Sequence, residues 1–269
     1  MKSFKSFYNL SCNPFEKSMR VTDRFESNDE RMMMDRLNYL KEVRGIGVFT
    51  AAPGMGKTYC LRCFEHSLPK NLCEMKYICL STVSVAEFYK QFCEQLGLVP
   101  KGGKTVMFKA IQERIYYLYK EKKRPLIIAI DEAQYLSNSI LKDLKMILNF
   151  EFDSVNCFTL ILLGEPHLNN TLEMPVHEAL RQRITTHYAF TGLSGDETEE
   201  YIRHKIRSAG GSADIINESA INAIKGYSNG NPRLIDNVMT DALIYGAQLE
   251  KSIIDSDVIL GAVNEQALT

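Results

Sequence analysis

The chain has 269 residues, with 32 lysines and arginines against 33 aspartates and glutamates, a formal charge of −1 at pH 7. At 45% hydrophobic and 24% charged it reads as a soluble globular chain, one large domain or one domain with a small satellite, which excludes disordered and collagen-like classes. A balance this close to neutral excludes a uniformly basic nucleic-acid binder.

The opening Phe7-Tyr8-Asn9-Leu10 and Asn13-Pro14-Phe15 are aromatic and turn-broken, which predicts a strap packed on the core. Ser27-x-x-Glu30 is a capping box for a helix to about Glu42. Residues 45–50 read as a buried strand, followed by a helix from about Lys57. Residues 75–80 form a second strand, Ser84-x-x-Glu87 caps a helix to Leu96, and a loop over 97–104 precedes a long helix ending at Lys122-Lys123-Arg124. Residues 126–130 and 158–163 are continuous apolar strands flanking a helix over 139–150, and 185–190 form a last strand. Strands alternating with helices, each strand apolar throughout, predict an α/β fold: a parallel five-stranded sheet with helices on both faces. After Phe190 only helical patterns remain. Ser194-x-x-Glu197 opens a helix that Gly210-Gly211 ends, and residues 217–226 form a second. Asn231-Pro232 starts a third, running to about Leu249, and Asp255 caps a fourth. The expected organisation is a strap and α/β domain over 1–190 and an all-helical domain over 191–269.

Ala51-Ala52-Pro53-Gly54-Met55-Gly56-Lys57-Thr58 lies between the first strand and a helix. Glycines let backbone N–H groups curl around a phosphate, and the helix N-terminus adds positive potential. Lys57 is placed to reach the β/γ-phosphates and Thr58 to hold Mg²⁺. The first glycine of the G-x-x-x-x-G-K-[ST] pattern is Ala51 here, a change that costs little where φ is negative. Leu126-Ile127-Ile128-Ala129-Ile130-Asp131-Glu132 is an apolar strand ending in two carboxylates, one for the metal (Asp131) and one for the attacking water (Glu132). The two motifs in this order predict nucleotide hydrolysis, with ATP and Mg²⁺ as the expected substrate and cofactor. The cysteines at 60 and 63, with Cys73 and Cys79 beyond, read as reduced thiols rather than a zinc site, because no second ligand pair is in view.

At these motifs the sequence resembles the P-loop AAA+ (ASCE) ATPases, with a C-terminal helical lid. Ala179-Leu180-Arg181-Gln182-Arg183-Ile184, Glu197-Thr198, Tyr201-Ile202-Arg203-His204, Gly230-Asn231-Pro232-Arg233-Leu234-Ile235 and Asn13-Pro14-Phe15 are similar to the general-secretion-pathway A ATPases. The same module recurs in the Mu B and Tn7-type transposition helper ATPases. The resemblance implies nucleotide contacts from Pro53, Gly54, Met55, Gly56, Lys57, Thr58 and Tyr59, and a lid contact from Arg233 as the sensor 2 arginine. It implies that Arg181 or Arg183, with Arg183 favoured, completes a neighbouring subunit's site, hence a homo-oligomeric ring or filament. At the sensor 1 position the family usually has Gln where this chain has Glu165, and a carboxylate facing the γ-phosphate would be repelled.

Split by segment, the small net charge is a cancellation. Residues 101–124 hold eight basic groups against Glu113 and Glu121, whereas residues 191–269 hold six basic against twelve acidic. In transposition-type rings such basic loops touch DNA phosphates, so Lys101 and Lys104 are candidate DNA contacts. No apolar run approaches the about 18–20 residues of a membrane span, and Met1-Lys2-Ser3-Phe4-Lys5 opens no signal peptide. With seven scattered cysteines, this predicts a cytoplasmic protein without membrane insertion. The expected function is ATP-dependent assembly on duplex DNA and recruitment of a transposase. The alternatives are a secretion-associated ATPase or a nucleotide-switch scaffold. The secretion relatives continue into a membrane span and a wall-binding domain, neither of which lies in these 269 residues, and that favours the transposition reading.

Overall fold

The computed structural model describes residues 3–16, 23–69, 71–79 and 84–266, so Met1, Lys2 and Leu80, which entered the sequence readings, lie outside the described residues. The chain divides into two compact units. The first, Met32–Pro53 with Lys57–Phe190, is built on β1 (Ile46–Thr50), β2 (Glu74–Cys79), β3 (Leu126–Asp131), β4 (Thr159–Gly164) and β5 (Ile184–Ala189). All neighbours are parallel, in the order β2-β3-β4-β1-β5. Parallel pairing needs a crossover at every step, so the C-terminal ends of β1, β3 and β4 lie side by side along one edge of the sheet.

Alternation of side chains along the strands supplies two apolar faces. On one, Phe49, Ile127, Ala129, Ile161 and Leu163 pack against α2 (Asn28–Val43) and α3 (Lys57–Ser67) through Met33, Leu37, Leu40, Leu61 and Phe64. On the other, Val48, Ile128, Ile130, Leu160 and Leu162 meet α4 (Val85–Gln95), α5 (Lys104–Lys120) and α6 (Asn138–Ile147). Strands β1, β3 and β4 are buried throughout, as an apolar run requires. β2 and β5 are not: they are the sheet edges, and the expectation of strands apolar throughout fails for them because an edge strand keeps one flank in water.

Two short helices, α7 (His167–Glu173) and α8 (Glu178–Arg181), occupy a stretch where the sequence suggested no element. With seven and four residues they are too short to show a 3.6-residue period, and Pro175 separates them. The helix expected to reach Phe150 stops at Ile147, and Phe150 bridges to Val155 across the left-handed residues Glu151, Phe152 and Asp153.

The second unit comprises the described residues before Met32, Gly54–Gly56, and those from Thr191 on. It holds α1 (Phe4–Phe7), α9 (Gly195–Ser208), α10 (Glu218–Ser228), α11 (Pro232–Gln248) and α12 (Ser256–Gln266). Three caps fall where the sequence put them, at Ser194, Asn231 and Asp255, and Asn217 supplies a fourth. Ser194 and Glu197 exchange both capping-box hydrogen bonds, and Asn217, Asn231 and Asp255 cap the other three helices. The strap differs from expectation: Tyr8, Leu10 and Phe15 are buried among these C-terminal helices, with the Tyr8 hydroxyl donating to the Lys251 carbonyl at 2.8 Å. The carboxylate of Asp29 accepts from the backbone N–H of Thr191 (3.0 Å) and Gly192 (2.8 Å), fixing the segment that leads into α9. Among the described residues no helix is long and apolar enough to cross a membrane.

Candidate active site

The loop after β1 needs glycine twice. Gly54 and Gly56 have φ of +88° and +93°, a region L-residues rarely enter. At Gly54 space is also short, since a Cβ there would lie 2.6 Å from Asn231 Oδ1 and 2.7 Å from Arg233 Cβ, all within the second unit. Ala51, in the place of the family's first glycine, is buried and is not among the residues with positive φ, so its methyl adds no backbone strain.

In the sheet unit, Lys57 opens α3 with its side chain nearly buried, and its Nζ donates to the Ala51 carbonyl at 2.7 Å. No acidic residue sits in the first turn of α3 to cancel the helix's positive end. Thr58 Oγ1 donates to Asp131 Oδ2 at 2.7 Å across the gap between α3 and the end of β3. The same oxygen accepts from the Tyr77 hydroxyl at 2.8 Å, and Oδ1 accepts from the Glu132 N–H at 2.9 Å. Burial and the adjacent Asp131 carboxylate push the Tyr77 phenol well above its ordinary pKa, so it remains a donor.

Glu132 turns the chain out of β3 in a left-handed conformation (φ 54°, ψ 37°), a state that costs a non-glycine residue about 1–3 kcal/mol and persists only where its surroundings hold it. Its carboxylate accepts from Gln134 Nε2 at 2.6 Å, and Gln134 Oε1 accepts from the Glu165 N–H at 3.1 Å. The Glu165 carboxylate lies 3.6 Å from His167 Nδ1. Thus Glu165 uses its backbone toward the site, while its side chain pairs with the next helix. Beside it, Asn169 of α7 donates to Thr50 Oγ1 at 3.2 Å and lies 3.1 Å from His187 Nε2.

The structure therefore brings Lys57, Thr58, Asp131 and Glu132 to one edge of the sheet. The Tyr59 ring lies under the Arg62 guanidinium at 5.0 Å. Arg183 forms an ion pair with Asp153 and donates to the Lys145 carbonyl, whereas Arg181 is exposed and bonded to the Glu173 carbonyl at 2.8 Å. Lys101 is exposed, but Lys104 is paired with Asp143 at 2.6 Å. Sequence reasoning missed Tyr77, Gln134 and Asn169. Only Gln134 carried a local signal, an amide two residues past Glu132; the other two meet their partners through the fold.

Residues 40–172 match the family described as AAA domain. The sheet unit has the AAA+ fold and matches that family over these residues. Over 263 residues the chain is 29% identical to General secretion pathway protein A of Aeromonas hydrophila, an alignment covering 96% of this chain and 48% of that one, so the chain spans about half the length of this curated relative. The chain also resembles Cdc6p from Pyrobaculum aerophilum, with a TM-score of 0.71 and 17% identity over 94% of this chain and 70% of the other. Drosophila ORC bound to DNA gives a TM-score of 0.72 and 14% identity over 100% and 67%. At these identities the two structures attest the fold: a five-stranded parallel AAA+ sheet with a helical C-terminal region.

Proposed function

We propose that this AAA+ ATPase hydrolyses ATP with Mg²⁺ and serves a secretion pathway. The observation that carries the catalytic part is the 2.7 Å contact between Thr58 and Asp131 beside the buried Lys57 and the strained Glu132. A hydroxyl and a carboxylate in contact are the hard oxygen donors that Mg²⁺ takes, and when bound there the ion neutralises charge on the transferring phosphoryl group. Lys57 exchanges its bond to the Ala51 carbonyl for one to the β/γ-phosphates. Gly54, Met55 and Gly56 turn backbone N–H groups toward those phosphates, flanked by Pro53 and Tyr59, and Arg233 is the lid's contribution. Glu132 orients and deprotonates the attacking water. Of the two arginines, Arg181 is the better candidate for a neighbouring subunit's site, because Arg183 is already engaged with Asp153.

Turnover and nucleotide affinity of two variants test this. Lys57→Ala is expected to lose nucleotide binding. Glu132→Gln is expected to bind ATP within about twofold of the parent yet hydrolyse it ~10²–10⁴-fold more slowly, the range a general base supplies. Wild-type turnover by Glu132→Gln would falsify the catalytic assignment.

The secretion role is supported by the relative whose alignment spans 96% of this chain. In the host, deletion of the gene is expected to hold secreted proteins inside the cell, restored by the parent sequence but not by Lys57→Ala. A second reading, assembly as a ring or filament on duplex DNA with a transposase as partner, draws support from the fold shared with a DNA-bound ORC and from the exposed Lys101.

A further inference from the structure

Gln134 is tied at both ends of its amide. The nitrogen donates to the Glu132 carboxylate at 2.6 Å and the oxygen accepts from the Glu165 N–H, just past the end of β4, at 3.1 Å. A third observation shows that β4 is shaped to receive it. A Cβ at Gly164 would lie 2.9 Å from both Gln134 Oε1 and Leu168 Cδ2 and 3.4 Å from the Gln134 backbone nitrogen, so the glycine leaves the amide and Leu168 uncrowded. The Gly164 carbonyl in turn accepts from the Ala51 N–H at 3.1 Å, which anchors the same strand end to the root of the phosphate loop.

From this geometry we infer that Gln134 is a positioning residue for hydrolysis: it fixes the Glu132 carboxylate to the end of β4 and so sets the direction in which that carboxylate meets the attacking water. The inference rests on the proposed role of Glu132. A glutamate side chain turns about three bonds, and its backbone here is already in a sparsely populated state, so the carboxylate has no local reason to hold one orientation. The amide supplies that reason, donating to the carboxylate while its other end is held by a backbone N–H that cannot move without moving β4. A bond to an ionised acceptor in a partly buried site is among the stronger kinds. The complementary polarity of an amide explains why the position is Gln: a Glu there could not donate to Glu132, and a Lys could not accept from the Glu165 N–H. Gln134 touches no reacting atom in this scheme. Its effect passes entirely through Glu132, and it therefore acts on kcat and leaves nucleotide binding alone.

The test compares steady-state ATP hydrolysis and nucleotide affinity for Gln134→Leu, Gln134→Glu, Gly164→Ala and the Gln134→Leu/Gly164→Ala double variant in the full chain, with Glu132→Gln as reference. Gln134→Leu keeps the volume and loses both bonds; kcat is expected to fall ~10–100-fold with KM and the Kd for ATP within about twofold of the parent. Gln134→Glu is expected to lose at least as much, because it sets two carboxylates against each other. Gly164→Ala, which crowds the amide together with Leu168, is expected to lower kcat in the parent but to lower kcat little further in the Gln134→Leu background, the non-additivity of a shared interaction. Parental kcat in Gln134→Leu, with Glu132→Gln inactive, overturns the inference and leaves the catalytic reading standing. Parental turnover in Glu132→Gln overturns that reading instead. If Gln134→Leu raises KM and Kd together with its loss of kcat, or if the two substitutions add, Gln134 is part of the structural frame and the inference fails.

Discussion

His177 shows how a single side chain can place a helix and give the protein a pH dependence. The ring is buried, its Nε2 lies 2.8 Å from Asn138 Oδ1 at the start of α6, and it leads directly into α8, the helix that carries Arg181. Burial, reinforced by the charge of Lys142, holds the imidazole below its ordinary pKa, so the folded protein keeps it neutral where the unfolded chain would protonate it. A lowered folded value means stability that is present above the unfolded pKa of about 6.5 and is lost as pH falls from there through the folded value. Denaturation midpoints taken between pH 7.5 and 5 are expected to decline over that interval, and His177→Gln is expected to flatten the decline. Equal slopes for the two proteins would assign the pH dependence to other groups. Nothing in the neighbourhood of His177 in the sequence announces this. Asn138 is 39 positions away, and the imidazole meets it only when α6 and α8 pack.

At the scale of elements, the capping signals are local, and the sequence states them in full. Ser194 accepts from the Glu197 N–H at 3.1 Å while Glu197 accepts from the Ser194 N–H at 3.0 Å, and Ser84 with Glu87 does the same at α4. Both bonds span three residues, so the spacing alone predicts them. Ser194→Ala is expected to destabilise the helical unit by about 1 kcal/mol, the usual worth of an N-cap, with nucleotide affinity unchanged. An unfolding free energy from chemical denaturation changed by less than a tenth of that amount would show that the remaining contacts of Glu197, including its 2.6 Å bond to the Asn28 N–H, hold the helix start by themselves. The buried strands were equally legible, because a strand covered on both faces is apolar at every position. The edge strands β2 and β5 and the short helices α7 and α8 were not. The edges mix polar and apolar residues according to which flank meets water, and four to seven residues give no periodicity to read.

For the whole molecule, charge is the property that changes most between sequence and structure. The surplus over residues 101–124 suggested one positive surface, yet Lys104, Lys120 and Arg124 pair with Asp143, Glu151 and Glu74, which lie outside that segment, and Lys109 pairs with Glu113. Half of the surplus also rides on α5, whose 17 residues span about 25 Å, so its two ends address different parts of the surface. The exposed Lys101 and the cluster of Arg114, Lys122 and Lys123 are therefore separate features. If the chain binds duplex DNA through Lys101, affinity is expected to fall steeply with salt, and Lys101→Ala is expected to reduce the slope of log K against log [salt] by about one, counted per phosphate contact. Binding measured by anisotropy between 50 and 300 mM salt checks this, and an unchanged slope removes Lys101 from the interface.

The sequence by itself determined the parallel sheet core, the glycine-bearing loop after β1, the two carboxylates at the end of β3, and the helix caps. Each of these depends on interactions reaching only a few residues: glycine's freedom at positive φ, the apolar run of a buried strand, a side chain bonding a backbone N–H three positions on. The tertiary structure decided what those elements meet. It set the strand order that brings Thr58 to Asp131 across 73 positions, buried the N-terminal strap among the C-terminal helices, and engaged Arg183 with Asp153. It also turned the Glu165 carboxylate to His167 and its N–H to Gln134. Such pairings are fixed by which faces and strand ends the packing brings together, and no local spacing encodes them. The small net charge marks the boundary between the two: the sum is written in the composition, but which charges cancel is a matter of distance.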